Sequence, residues 1–248
     1  TIITNHPNHP HGRLYDGYKN RWFSTEIMDG IRIIRVKTFL TANKGNIERS
    51  LNFIVYFFLA IKASTLVKNI DVIIATSPQF LCGLAGNIIK KIKNKPFILE
   101  VRDLWPDSII AVKIIKENLF IKLLRIIEKK MYHSADRIVV LTNSFKKHII
   151  GFGFPGEKIM TIPNGVNLNL FNSVKEQKID RTFDFTDKGK FIVSYIGTFG
   201  LAHGIENIIL AAENLQNNSN IHFLLVGDGS KRSTLLSLVK KIGLTNIT

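Results

Sequence analysis

The stretch Phe191-Ile-Val-Ser-Tyr-Ile-Gly-Thr-Phe-Gly-Leu-Ala-His-Gly-Ile-Glu206 passes from an apolar run through three glycines into a segment of helical period. The run predicts a buried strand over Phe191 to Ile196, and the segment after the third glycine predicts a helix over Ile205 to Gln216. Strand, Gly-rich turn and helix in that order form the repeating unit of an open parallel sheet. Gly197 and Gly200 let a backbone come close to a ligand, and the helix start directs unpaired N–H groups and the positive end of its dipole at bound phosphate. A Gly-rich turn that binds nothing would read the same in isolation. Its position at the carboxyl end of a strand, where open α/β sheets bind ligands, favours the ligand reading for Gly197, Thr198, Gly200, His203 and Gly204.

The same unit recurs outward from there. Further strands are expected at Ile31 to Val36, Val72 to Thr76, Phe97 to Val101, Arg137 to Leu141, Lys158 to Ile162 and Ile221 to Val226. Most are unbroken apolar runs, the pattern of strands covered on both faces. Helices are expected at Ser50 to Lys68, Phe80 to Ile92, Leu119 to Ser134, Ser144 to Phe152 and Ser230 to Ile242, with Ser144 placed as a cap. The class is α/β, doubly wound. The pattern lapses into a polar, charge-mixed stretch over 171–190, which divides the chain into a first domain over 1–170, a linker over 171–190 and a second domain starting at 191.

The strand at Ile221 to Val226 runs into Gly227-Asp-Gly-Ser-Lys-Arg232, a second Gly-rich strand end with basic residues entering a helix. Gly227, Asp228, Gly229, Lys231 and Arg232 therefore join the phosphate-site candidates. For at least one of Lys231 and Arg232 a solvated helix face is the better reading. Neither loop has P-loop spacing, and no G-x-G-x-x-G occurs.

In the first half, Arg102-Asp-Leu-Trp-Pro-Asp-Ser108 follows a buried strand. Arg102 and Asp103 leave that strand at its carboxyl end, as a charged pair at the mouth of a cleft or as a local ion pair under Trp105. His6, His9 and His11 are clustered, but two prolines and no adjacent carboxylate or Cys argue against zinc and for a loop lining a cleft. Leu51 to Ile61 is apolar almost all round. It reads first as a core helix and second as an interfacial one, with Phe57 and Phe58 entering a headgroup layer while Lys62 and Lys68 meet anionic lipid.

Composition narrows the classes. Apolar residues make up 45% and charged residues 21% of 248, which excludes disorder and fibrous repeats. The single Cys82 excludes an intrachain disulfide and fits a reducing compartment. Net charge is +15, of which residues 1–170 carry +13. Such a field calls for an anionic partner: lipid, nucleic acid or phosphorylated substrate. No run approaches the ~20 apolar residues of a membrane-spanning helix.

Four segments together resemble the family 4 glycosyltransferases, in particular bacterial O-antigen and capsule enzymes similar to N-acetylfucosamine transferases. They are Asn5-His-Pro-Asn-His-Pro-His-Gly-Arg-Leu-Tyr-Asp-Gly-Tyr18, the Arg102 to Ser108 segment, Lys158-Ile-Met-Thr-Ile-Pro-Asn-Gly-Val166, and the two glycine loops. The resemblance implies a GT-B fold: two Rossmann-like domains facing each other, acceptor on the first and nucleotide sugar on the second. It implies transfer with retention of anomeric configuration, with no metal and no cofactor. Asp103 and Arg102 become the catalytic candidates, the glycine-loop residues bind donor, and His6, His9 and Asn164 lie on the acceptor side. Many relatives carry Arg and Lys in the first donor loop, where this sequence has Thr198 and His203. The resemblance also places a glycine-rich first-strand loop before Thr1 and an acidic pair beyond Thr248, so the chain is expected to be a fragment whose second domain is truncated.

The expected protein is thus a cytoplasmic enzyme, peripheral on the inner face of the membrane, moving a sugar from a UDP-linked donor to a lipid-linked saccharide during surface polysaccharide synthesis. Two rivals are a non-catalytic sugar-nucleotide-binding module and a basic nucleic-acid-binding protein. The aromatics sit in apolar runs, not interleaved with basic residues, which argues against nucleic acid as partner.

Overall fold

The computed structural model describes residues 1–8, 12–40, 46–77, 80–111, 117–169 and 189–248. Most of the stretch read as a linker, and His9 and His11, lie outside the described residues. The chain divides into two compact units, Thr1–Gly165 and Val166–Thr248.

Unit 1 contains two sheets. The first has β1 (Ile2–Asn5), β2 (Phe23–Met28) and β3 (Ile31–Val36) in the order β1-β3-β2, with β3 parallel to β1 and antiparallel to β2. Strand β2 is not among the strands expected from the sequence. Its signal is Asp29-Gly30, both at positive φ (50° and 76°), the two-residue turn whose twist matches a β-hairpin.

The second sheet is fully parallel, in the order β4 (Ile73–Ser77), β5 (Phe97–Val101), β6 (Arg137–Val140) and β7 (Ile159–Thr161). The helices preceding or joining these strands are α1 (Asn46–Ser64), α2 (Phe80–Lys93), the short α3 (Asp107–Ala111), α4 (Leu119–Ser134) and α5 (Asn143–Gly151). Phe97, Leu99, Ile138 and Val140 point into the core, where Ile121, Tyr132 and Ile149 from α4 and α5 meet them, all 2% exposed or less. Close packing of α2 depends on glycine, since a methyl group on Gly86 would stand 2.6 Å from the Phe97 ring and 2.7 Å from Ala75.

Two expectations change. Burial alternates along β4, with Ile73 and Ala75 buried and Ile74 63% exposed, and Met160 of β7 is equally bare. The described residues therefore cover one face of this sheet, not both; an apolar run does not tell which of its faces a neighbour will reach. The cap of α5 is Thr142, not Ser144. Thr142 has extended backbone and its hydroxyl accepts from the Phe145 N–H at 3.2 Å, three residues on, as a cap at the helix boundary must.

Unit 2 pairs β8 (Phe191–Ile196) with β9 (Ile221–Val226) in parallel, residue against residue from Phe191↔Ile221 to Ile196↔Val226. Helix α6 (Glu206–Asn214) makes the crossover and α7 (Arg232–Ile242) follows β9. Ile205, Ile209, Phe223 and Leu235 form the core of this unit. Among the described residues no helix is long and apolar enough to cross a membrane.

Candidate functional site

The parallel pairing of β8 and β9 brings their carboxyl ends side by side, so the two glycine loops emerge as neighbours. They are stitched by backbone bonds: Gly197 N–H donates to Val226 O (2.9 Å), Phe199 N–H to Asp228 O (2.8 Å) and Lys231 N–H to Phe199 O (2.9 Å). Glycine is required for that contact. A methyl on Gly227 would lie 1.8 Å from Gly197 O, and one on Gly229, at φ +153°, 2.6 Å from Phe199 O. The Phe199 ring is buried beneath the loops.

Above this floor the loop over 197–204 stays open. Thr198 and His203 are exposed, Gly200 and Gly204 partly so. The Tyr195 hydroxyl donates to Thr198 O (2.8 Å) and fixes the loop from beneath. Among the described residues the N–H groups of Thr198 and Gly200 donate to no other group. Gly204, at φ +59°, turns the chain into α6. The residues that open the two helices are Ile205 for α6 and Lys231 for α7, and neither supplies a capping side chain. The first turn of α6 closes on itself, Asn207 N–H donating to Gly204 O and Ile208 N–H to Ile205 O, whereas the N–H groups of Ser233 and Thr234 in the first turn of α7 have no acceptor among the described residues.

Charge in the loops is distributed differently from the expectation. Lys231 is half-buried, and its ammonium donates to Glu206 Oε1 at 2.9 Å, which holds the Glu206 carboxyl below the usual carboxylate range. Lys231 therefore ties α6 to the second loop and neutralises Glu206. Arg232 is the exposed cation, 4.0 Å from Asp228, whose own carboxylate accepts from the Gly229 N–H. The sequence carries no local signal for Glu206, because its partner lies 25 residues away.

In unit 1, Arg102 and Asp103 leave β5 at its carboxyl end. They form no ion pair with each other. Arg102 is exposed, while Asp103 is partly buried and accepts from Ser108 Oγ at 3.1 Å. The Trp105 ring packs 4.8 Å from Phe80 at the start of α2. The far end of the segment is anchored by a residue that sequence reasoning misses: Arg125 of α4 donates to Asp107 Oδ1 through Nε (2.9 Å) and Nη2 (2.8 Å), and to Glu117 through Nη1.

His6 turns inward. It is 2% exposed, its N–H donates to Thr38 Oγ1, and its ring meets Arg21 O at 3.2 Å; burial pushes its pKa down. As placed, it holds the loop from inside. Asn164 is exposed. Among the described residues no group of three or more His, Cys, Asp or Glu could hold a metal ion. A cavity of about 730 Å³ opens between β1 and β4, and none of the candidate site residues lines it.

Residues 1–170 match Glycosyltransferase Family 4. Over 255 residues the chain is 24% identical to the putative colanic acid biosynthesis glycosyl transferase WcaI of Escherichia coli K12, an alignment covering 99% of this chain and 62% of that one. Over 135 residues it is 29% identical to chitobiosyldiphosphodolichol beta-mannosyltransferase of Candida albicans, covering 51% and 30%. The chain spans less than two thirds of the length of either relative. Among solved structures it is similar to Anabaena Alr3699/HepE in complex with UDP-glucose, with a TM-score of 0.56 at 16% identity over 77% of this chain and 50% of the other. The fold is α/β of the GT-B class, with Rossmann-like units.

Proposed function

The chain belongs to Glycosyltransferase Family 4, and from that premise we propose that the protein is a retaining glycosyltransferase taking its sugar from a UDP-linked donor. The observation that carries this is the pair of interlocked glycine loops of unit 2, set before two helix starts without side-chain caps. Transfer of the sugar leaves a diphosphate whose negative charge grows in the transition state. Fixed N–H groups at Thr198, Gly200 and the first turn of α7, with Arg232 beside them, stabilise such charge without reorganising. The UDP-glucose held by the similar HepE supports UDP as the nucleotide.

Asp103 is proposed to orient or deprotonate the acceptor hydroxyl and Arg102 to oppose negative charge on donor or acceptor, with Asn164 on the acceptor side. The acceptor proposed is a lipid-linked saccharide in bacterial surface polysaccharide synthesis. The names of the colanic acid and diphosphodolichol relatives support that class. The protein then works peripherally on the cytoplasmic face of the membrane.

Calorimetric titration with UDP tests the donor reading. Gly200 is the position to alter: its φ of −105° suits any residue, and an added Cβ would stand 3.0 Å from the His203 ring and 3.7 Å from Thr198 Cγ2, both exposed side chains of the same loop. At Gly204 a β-branched residue would be strained by the positive φ and would confuse binding with folding. Gly200→Val is expected to weaken UDP binding about tenfold or more with an unchanged melting temperature. Equal affinity in parent and variant would remove the diphosphate from this loop.

A further inference from the structure

The outer surface of the helix layer in unit 1 combines apolar side chains and lysines in a way the fold itself does not use. Helix α2 packs between α1 and α4. On α4, Leu119, Leu123 and Ile126 recur at the spacing of one helix face and are 83%, 52% and 53% exposed, when burial is the usual fate of such a stripe. Lys122, Lys129 and Lys130 are exposed on the same side of the helix. The neighbouring end of α2 adds Ile92, 55% exposed, and Lys91. None of these four lysines is bonded to a carboxylate among the described residues. Helix α2 has no acidic residue, and the one carboxylate of α4, Glu128, is 1% exposed. The exposed carboxylates at the two ends of α4, Glu117 and Asp136, are paired with Arg125 and Lys90, and an apolar stripe flanked by unpaired lysines fits the boundary between anionic headgroups and acyl chains.

Helix α1, to which the sequence pointed, also exposes Leu51 and Ile54, at 41% and 44%. Phe58 is 64% exposed, but Phe57 is partly buried against it in an edge-on pair, and the Lys62 ammonium lies over the Phe23 ring. We infer that unit 1 docks on an anionic lipid bilayer through the outer face of α2 and α4, with Leu119 and Leu123 entering the headgroup layer and Lys122, Lys129 and Lys130 meeting lipid phosphates. The inference rests on the reading of a membrane-borne acceptor and names the surface that reaches it.

Co-sedimentation of the protein with vesicles tests it, comparing phosphatidylcholine alone with a mixture of one part phosphatidylglycerol to two parts phosphatidylcholine. Binding is expected to the mixture and not to phosphatidylcholine alone, and to weaken with salt. Lys129→Glu/Lys130→Glu is expected to weaken it about tenfold or more. Arg13→Glu/Lys19→Glu, the same change of net charge in the exposed loop before β2, is expected to leave it unaltered. Leu119→Ser/Leu123→Ser removes the binding that survives salt. All these side chains are exposed, or nearly so, and the melting temperature of each variant checks the fold. Equal losses from the two charge pairs would overturn the inference in favour of net charge alone. Self-association abolished by the leucine pair, without vesicle binding, would assign the face to a second copy and overturn it too. UDP titration of the same variants separates the two proposals: retained UDP affinity without vesicle binding defeats this surface and leaves the donor reading standing.

Discussion

Helices α4 and α5 of unit 1 begin on Asn118 and Thr142, whose side chains accept from the first turn, whereas α6 and α7 of unit 2 begin on Ile205 and Lys231, which offer no such oxygen. A missing cap costs a helix about 1 kcal/mol, so two in succession are expensive for a small unit. Both follow the carboxyl end of a strand, β8 and β9. In unit 1 the corresponding groups are taken up by the caps, the Ile121 N–H by Asn118 and the Phe145 N–H by Thr142. The contrast separates helix starts closed by a capping side chain from helix starts that lack one, where the donor proposal puts its anion.

The hardest test of this contrast is steric. Gly227→Ala drives a methyl into the Gly197 carbonyl and separates the two loops, and it is expected to cost about 3 kcal/mol in denaturant unfolding and to abolish UDP binding. Gly151→Ala at the end of α5 meets no atom within 4 Å and is expected to be neutral or slightly stabilising. Similar outcomes for both would mean that the loops of unit 2 are as loosely built as a helix terminus.

Glu128 is the exception inside unit 1. Its Oε1 accepts from the Tyr132 hydroxyl at 2.6 Å, its buried Oε2 has no partner, and burial pushes its pKa up to about 7. Between the ordinary carboxyl value and about pH 7 the folded chain retains a proton that the unfolded chain has released. Stability therefore falls as pH rises through that window. Glu128→Gln cannot titrate, and its stability relative to the parent is expected to shift in its favour by about 2 kcal/mol from pH 5 to pH 8. Parallel pH profiles would mean that Oε2 finds a partner in solution.

The mildest test compares the helix starts directly. Thr142→Ala is expected to destabilise unit 1 by about 1 kcal/mol. Lys231→Ala removes only a partly exposed ion pair with Glu206 and is expected to cost about 0.5 kcal/mol or less. It leaves the Glu206 charge uncompensated beside the loop, so UDP binding should weaken several-fold in calorimetry. A loss of stability from Lys231→Ala as large as that from Thr142→Ala would assign the residue to the fold.

Much of this is legible without coordinates. The ends of β3, β5, β8, β9 and α4 coincide with the sequence reading, because apolar period and β-branched runs are local properties. The β2–β3 hairpin has an equally local signal in Asp29-Gly30, which the reading by apolar runs does not use. Thr142 and Ser144 are both sound caps by residue type, and two residues of helix phase decide between them.

What the sequence determines by itself is therefore the α/β class, the order of its elements and the glycines at the strand ends, since each is set by residues close together in the chain. Tertiary structure alone decides that Gly227 must be glycine because it lies under the Gly197 carbonyl, that Lys231 pairs with Glu206, that Arg125 anchors Asp107, and that His6 is interior. Each of these joins residues at least 15 apart through the crossing of one element over another. No local pattern specifies which side chains such a crossing brings within 3 Å or so, because strand register and helix packing are set by the whole buried surface at once.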